Sequence, residues 1–145
     1  MQLMRKYVLT SEIAREIINK AEEKAKEFGV RVCIAVVDDG GNLLEFRRMT
    51  GAPILSIGIS QNKAYTAIAF GLPTSKWYEL IKDEPALLHG IVHTPRLVIF
   101  AGGVPIKVNG QIIGGIGVSG ATAQQDEEIA LAGISVVENL TNIEQ

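Results

Sequence analysis

Val104-Pro105-Ile106-Lys107-Val108-Asn109-Gly110-Gln111-Ile112-Ile113-Gly114-Gly115-Ile116-Gly117-Val118-Ser119-Gly120 is the stretch on which the fold turns. Its right-hand end, Gly115 to Gly120, matches G-x-G-x-x-G between a strand and a helix, the pattern that cradles a pyrophosphate in a dinucleotide-binding unit. Its left-hand part tells a different story. Val104–Val108 and Gln111–Val118 flank Asn109-Gly110, a dipeptide that readily takes the positive φ angles of a two-residue hairpin turn. The dinucleotide unit needs a parallel second strand ending in an acidic residue about 20 positions on. That count lands near Leu140, and the sequence runs to Gln145. The hairpin is therefore preferred. Glycines in such strands mark bends, or places where a ligand or another backbone comes close.

Working outward toward the N-terminus, Leu97–Ala101 reads as a buried strand, and Asp83–Arg96 is the least regular segment. Ser75–Ile81 reads as a short helix capped by Thr74. Ile54–Phe70 reads as a helix rich in small residues (Ser56, Gly58, Ser60, Ala64, Ala67, Ala69), which permit close approach of the sheet or of a second subunit. Val30–Val37 and Asn42–Met49 form a second hairpin around Asp38-Asp39-Gly40-Gly41. Ser11–Phe28 carries an apolar stripe through Ile13, Ala14, Ile17, Ile18, Ala21, Ala25 and Phe28, with Thr10 or Ser11 at its start and Gly29 at its end. Toward the C-terminus, Thr122-Ala123-Gln124-Gln125 fits a capping box. Ile129, Ala132, Gly133, Val136, Val137 and Leu140 give the following helix an inner face. The order α-β-β-α-α-β-β-β-α predicts an α+β domain over 1–145, with about five mainly antiparallel strands flanked by helices.

Composition narrows the class further. The chain has 145 residues, 47% hydrophobic and 21% charged, and a net charge of −2. That suits one globular domain and gives no basic excess for nucleic acid. Cys33 alone forms no internal disulfide and suits a reducing compartment. Met1–Tyr7 lacks the apolar core of a signal peptide, and no stretch is apolar and long enough for a membrane span. The expectation is a cytoplasmic protein with no membrane partner.

The catalytic motifs are incomplete. Ser60-Gln61-Asn62-Lys63 matches S-x-x-K, but its companion motifs are absent; Lys63 reads as a salt bridge, a solvated position or an anion contact. Gly117-Val118-Ser119-Gly120-Ala121 misses the G-x-S-x-G nucleophile elbow by its last residue. His89 and His93 stand four apart, with no third ligand nearby, so no metal site is assigned. Cys33 and Met49 read as core residues, and Asp38 and Asp39 as turn residues. No catalytic residue is assigned.

Four segments together resemble the GlcG/HbpS family of haem-binding-like proteins, which includes PduO-type C-terminal domains. They are Val36–Leu43 with Arg48-Met49, Ser60–Ala67, Ala101–Ile106, and Ile113–Gly120 through Gln125-Asp126-Glu127. The resemblance covers nearly the whole chain. It implies a profilin-like fold, homo-oligomers, and haem or another tetrapyrrole as ligand. Some relatives use a histidine of the first helix on haem; that helix here has none, so the candidates are His89 and His93. The expected function is non-catalytic small-molecule or cofactor binding. The site residues would be His89, His93, Lys63, Gly102, Gly103, Gly117 and Ser119, by the glycine strands and the His89–Arg96 loop. One alternative is an enzyme or accessory protein of glycolate, diol, glycerol or corrinoid-linked catabolism, using Lys63, Asp38 or Asp126. Another is a structural oligomeric module.

Overall fold

Helix α1 (Ser11–Phe28) starts where the Thr10 hydroxyl accepts a hydrogen bond from the Ile13 N–H at 3.2 Å, and ends at Gly29 with φ +69°. Strands β1 (Cys33–Asp38) and β2 (Leu43–Arg48) form the first hairpin, and helix α2 (Ser56–Phe70) follows. A 3-10 turn at Thr74–Lys76 leads into the short helices α3 (Trp77–Ile81) and α4 (Pro85–Gly90), then a second 3-10 turn at Ile91–His93. Strands β3 (Gly103–Val108) and β4 (Gln111–Ser119) precede helix α5 (Ala123–Glu138). The computed structural model describes residues 1–138 and Leu140. Asn139 and residues 141–145 of the expected domain lie outside the described residues.

The sheet has four strands in the order β2-β1-β4-β3, all antiparallel. Asn109 and Gly110 both have positive φ, as the two-residue turn requires, so β4 pairs with β3 on one edge and β1 on the other. No parallel pair exists beside the G-x-G-x-x-G segment, and the dinucleotide unit is absent among the described residues.

Four strands replace the expected five because Leu97–Ala101 is not a strand. Its backbone turns to a helix instead. The Thr66 hydroxyl of α2 accepts from the Val98 N–H at 3.0 Å, and its single proton has the Asn62 carbonyl at 2.8 Å and the Arg96 carbonyl at 3.1 Å as acceptors. The segment expected to be irregular contains α4, which Pro85 opens at a position that needs no N–H donor. Thr74 does not cap the short helix: its buried hydroxyl accepts from the Gly103 N–H at 2.9 Å. Leu140 lies beyond the end of α5 and is exposed.

One face of the sheet carries the main core. Ile34, Val36, Val104, Ile106, Ile116 and Val118 meet Ile17 and Ile18 of α1 and Ile129 of α5. Each such side chain contributes about 1.5–3 kcal/mol on burial. On the other face Ala35 and Val37 of β1 meet Ala64 of α2 in a small cluster. The capping box at Thr122 forms: its hydroxyl accepts from the Gln125 N–H at 3.1 Å, and Gln125 Oε1 accepts from the Thr122 N–H at 3.3 Å. No helix among the described residues is long and apolar enough to cross a membrane.

Candidate functional site

Glycine brings α2 onto the sheet. A Cβ on Gly117 would collide with the Ser60 carbonyl and lie 2.5 Å from the Ala64 nitrogen. One on Gly103 would strike the Lys63 carbonyl, and one on Gly115 the Ile68 side chain. The space beside Gly103 and Gly117 is thus filled by the helix. Gly102 has φ +129°, and its Cβ would sit 2.6 Å from Lys63 Nζ.

This approach carries Lys63 inward. Its side chain is 1% exposed, and Nζ donates to the Val118 carbonyl at 2.8 Å and to Asp126 Oδ2 at 3.1 Å. Asp126, in the first turn of α5, uses Oδ1 to accept the Ala121 N–H at 3.0 Å. The Phe100 ring stands 5.1 Å from Nζ. Burial pulls the Lys63 ammonium down and pushes the Asp126 carboxyl up; their mutual attraction opposes both shifts. Packed α2, β4 and α5 leave each charge the other as its counter-charge.

Of the seven residues expected at the site, the fold brings five together here. Lys63, Gly102, Gly103, Gly117 and Ser119 all lie where α2 crosses β3 and β4. Ser119 is buried and donates to Ser56 Oγ at 3.1 Å. Ser60 donates to the Ile57 carbonyl, so the S-x-x-K serine and lysine are not hydrogen-bonded to each other. His89 is on α4 and His93 on the following 3-10 turn, both exposed. Neither imidazole has a hydrogen-bond partner among the described residues. α4 and that turn bury none of their residues.

Two features have no local signal in the sequence. Asp126 reads as a polar group by residue type, but its partner lies 63 residues away in the chain. A cavity of about 760 Å³, lined by Arg5, Tyr7, Lys107 and neighbours, contains none of the seven residues. Its walls come from residues 5–13, 107–113 and 137–140, so no local pattern signals it.

The sequence profile of the family described as "haem degrading protein HbpS-like" matches residues 9–135. An uncharacterized 15.0 kDa protein of the dhaT-dhaS intergenic region of Citrobacter freundii is 41% identical over 124 residues, 84% of this chain and 87% of that one. Protein GlcG of Escherichia coli K12 is 41% identical over 114 residues, 79% of this chain and 83% of that one. Corrinoid adenosyltransferase PduO of Salmonella typhimurium is 30% identical over 123 residues, 84% of this chain but 37% of that longer protein. Among solved structures, Klebsiella pneumoniae protein ORFY superposes with TM-score 0.89 at 34% identity, covering 97% of this chain and 98% of that one. The PduOC:haem complex superposes with TM-score 0.83 at 29% identity, covering 90% and 95%.

Proposed function

Because the chain belongs to the HbpS-like family, we propose that it binds haem or another tetrapyrrole without catalysis of its own. The observation that carries this reading is a structural relative of matching fold and length in complex with haem. The chemistry of the exposed residues fits such a ligand. His89 and His93 present imidazoles with no hydrogen-bond partner among the described residues, and a neutral imidazole is a good axial donor to haem iron. Leu87 and Val92, within two residues of them in sequence, are also exposed and offer apolar surface to a porphyrin face. Bound haem would supply a redox-active iron; the chain's part is to hold the ring and donate to the metal.

The remaining surface of that ligand is supplied by a second copy. Ile54, Leu55, Phe70, Tyr78, Leu80 and Phe100 are each at least 50% exposed, and all belong to α2, its approaches and the segment after it. A contiguous apolar patch built from these residues would mark an interaction surface. The assembly reading is tested by sedimentation, where a monomer at micromolar concentration would count against it.

Haemin titration tests the ligand. A Soret shift is expected, weakened by His89→Ala or His93→Ala. Absence of a shift, or a shift indifferent to both substitutions, removes the assigned ligands. An accessory role in small-metabolite catabolism draws on the relative from the dhaT-dhaS intergenic region and on PduO. It predicts thermal stabilisation by a glycolate, diol or corrinoid compound rather than by haemin.

A further inference from the structure

The 760 Å³ cavity lies where the N-terminal segment crosses one end of the sheet. Antiparallel pairing puts both hairpin turns at that end, since Asp38 stands opposite Gly114 near the start of β4. The segment ahead of α1 is tied to both turns. Lys6 Nζ meets Asp39 Oδ2 at 2.7 Å, and Asn109 Nδ2 donates to Tyr7 Oη at 3.4 Å. Leu9 is buried in the main core and anchors the same strap.

The lining of this cavity is divided by chemistry. Ile13 of α1, Ile113 of β4 and Val137 of α5 supply aliphatic surface. Arg5, Lys6 and Lys107 supply three cations, in a chain whose net charge is −2. Lys6 is committed to Asp39, whereas among the described residues Arg5 and Lys107 have no ion-pair partner. Glu138 is the acidic lining residue. The volume falls in the range of small-molecule pockets, about 300–1,000 Å³. An apolar lining with cations that have no ion-pair partner among the described residues complements a ligand that is apolar along its length and anionic at one end.

We propose that this cavity is a second ligand site, separate from His89 and His93, that takes an amphipathic carboxylate. The apolar body lies against Ile13, Ile113 and Val137, and the carboxylate is met by Arg5 and Lys107. The Lys6–Asp39 and Tyr7–Asn109 ties hold the strap that forms its wall. This site does not depend on the haem reading.

The test displaces 1-anilinonaphthalene-8-sulfonate from the protein with dodecanoate below its micellar concentration, with 1-dodecanol as the neutral arm. Dodecanoate is expected to compete about tenfold or more better than the alcohol. Arg5→Glu with Lys107→Glu should weaken dodecanoate by about tenfold or more and leave dodecanol unchanged. Both positions are exposed; Arg5→Gln with Lys107→Gln gives an uncharged control that should weaken it less. His89→Ala with His93→Ala should change nothing here, so failure of the two sites shows separately. Equal competition by acid and alcohol overturns the proposal, as does unchanged dodecanoate affinity in both double variants. A changed sedimentation coefficient in the charge-reversed variant would assign this face to a second copy instead, and would also overturn it.

Discussion

On one side of the sheet, α1 and α5 cover Ile34, Val36, Ile116 and Val118 with layers of aliphatic side chains. On the other, α2 rests its backbone against Gly103, Gly115 and Gly117, and its buried polar residues include Ser56, Ser60, Lys63 and Thr66. Side-chain layers can relax in part when a methyl is lost. A backbone-to-backbone contact has no such slack, because any Cβ added there meets a carbonyl or an amide. The thin face also leaves room for a charge to reach across it. Lys63 crosses from α2 to the Val118 carbonyl and Asp126, and pins the start of α5 to the same point.

The sharpest way to break this contrast is Lys63→Met. It leaves Asp126 buried and without its counter-charge, and about 3–5 kcal/mol of stability should be lost in a denaturant titration. Adding Asp126→Leu should recover much of that loss; a double variant as unstable as the sum of the singles would show that the pair does not act as a unit. Gly117→Ala comes next, at about 1–3 kcal/mol, since the new methyl collides with the Ser60 carbonyl. Its neighbour on the thick face, Ile116→Val, should cost about 0.5–1.5 kcal/mol. If the two melts shift equally, the difference between the faces is not one of packing. Thr122→Ala removes a cap bond at the start of α5, one turn from Asp126, and should cost about 0.5–2 kcal/mol.

The smallest effect is electrostatic and lies outside both faces. Burial pushes the Asp38 carboxyl up, but hydrogen bonds from Asn42 and Gly40 outweigh it and hold the group below its ordinary value of 3.8. A carboxyl lowered by folding stabilises the fold above that value and loses the contribution as pH falls through its folded one. Melting between pH 5 and about pH 3 should therefore drop slightly more for the native protein than for Asp38→Asn. Identical slopes would remove Asp38 from the acid response.

Much of the fold was legible because its signals are local. Asn109-Gly110 fixed one hairpin, the α1 stripe and Gly29 fixed the first helix, and Thr122 with Gln125 fixed the start of α5. Leu97–Ala101 misled because an apolar run looks the same whether its partner is a strand or, as here, the hydroxyl of Thr66. The candidate site was legible in part. Lys63 and the glycines stood out by residue type, but the pairing with Asp126 did not, since nothing local links positions 63 residues apart.

The sequence by itself determined an α+β domain with antiparallel hairpins, because turn chemistry and periodicity act over a few residues at a time. It also determined membership of the GlcG/HbpS resemblance group, because that signature is a matter of residue identities and spacing. Only the tertiary structure decided what the glycines and Lys63 do. Gly103, Gly115 and Gly117 admit a helix backbone, Lys63 is sealed against Asp126, and the two histidines stay on the surface. Those outcomes depend on which elements pack against which, and the hydrophobic pattern that drives packing is indifferent to sequence distance.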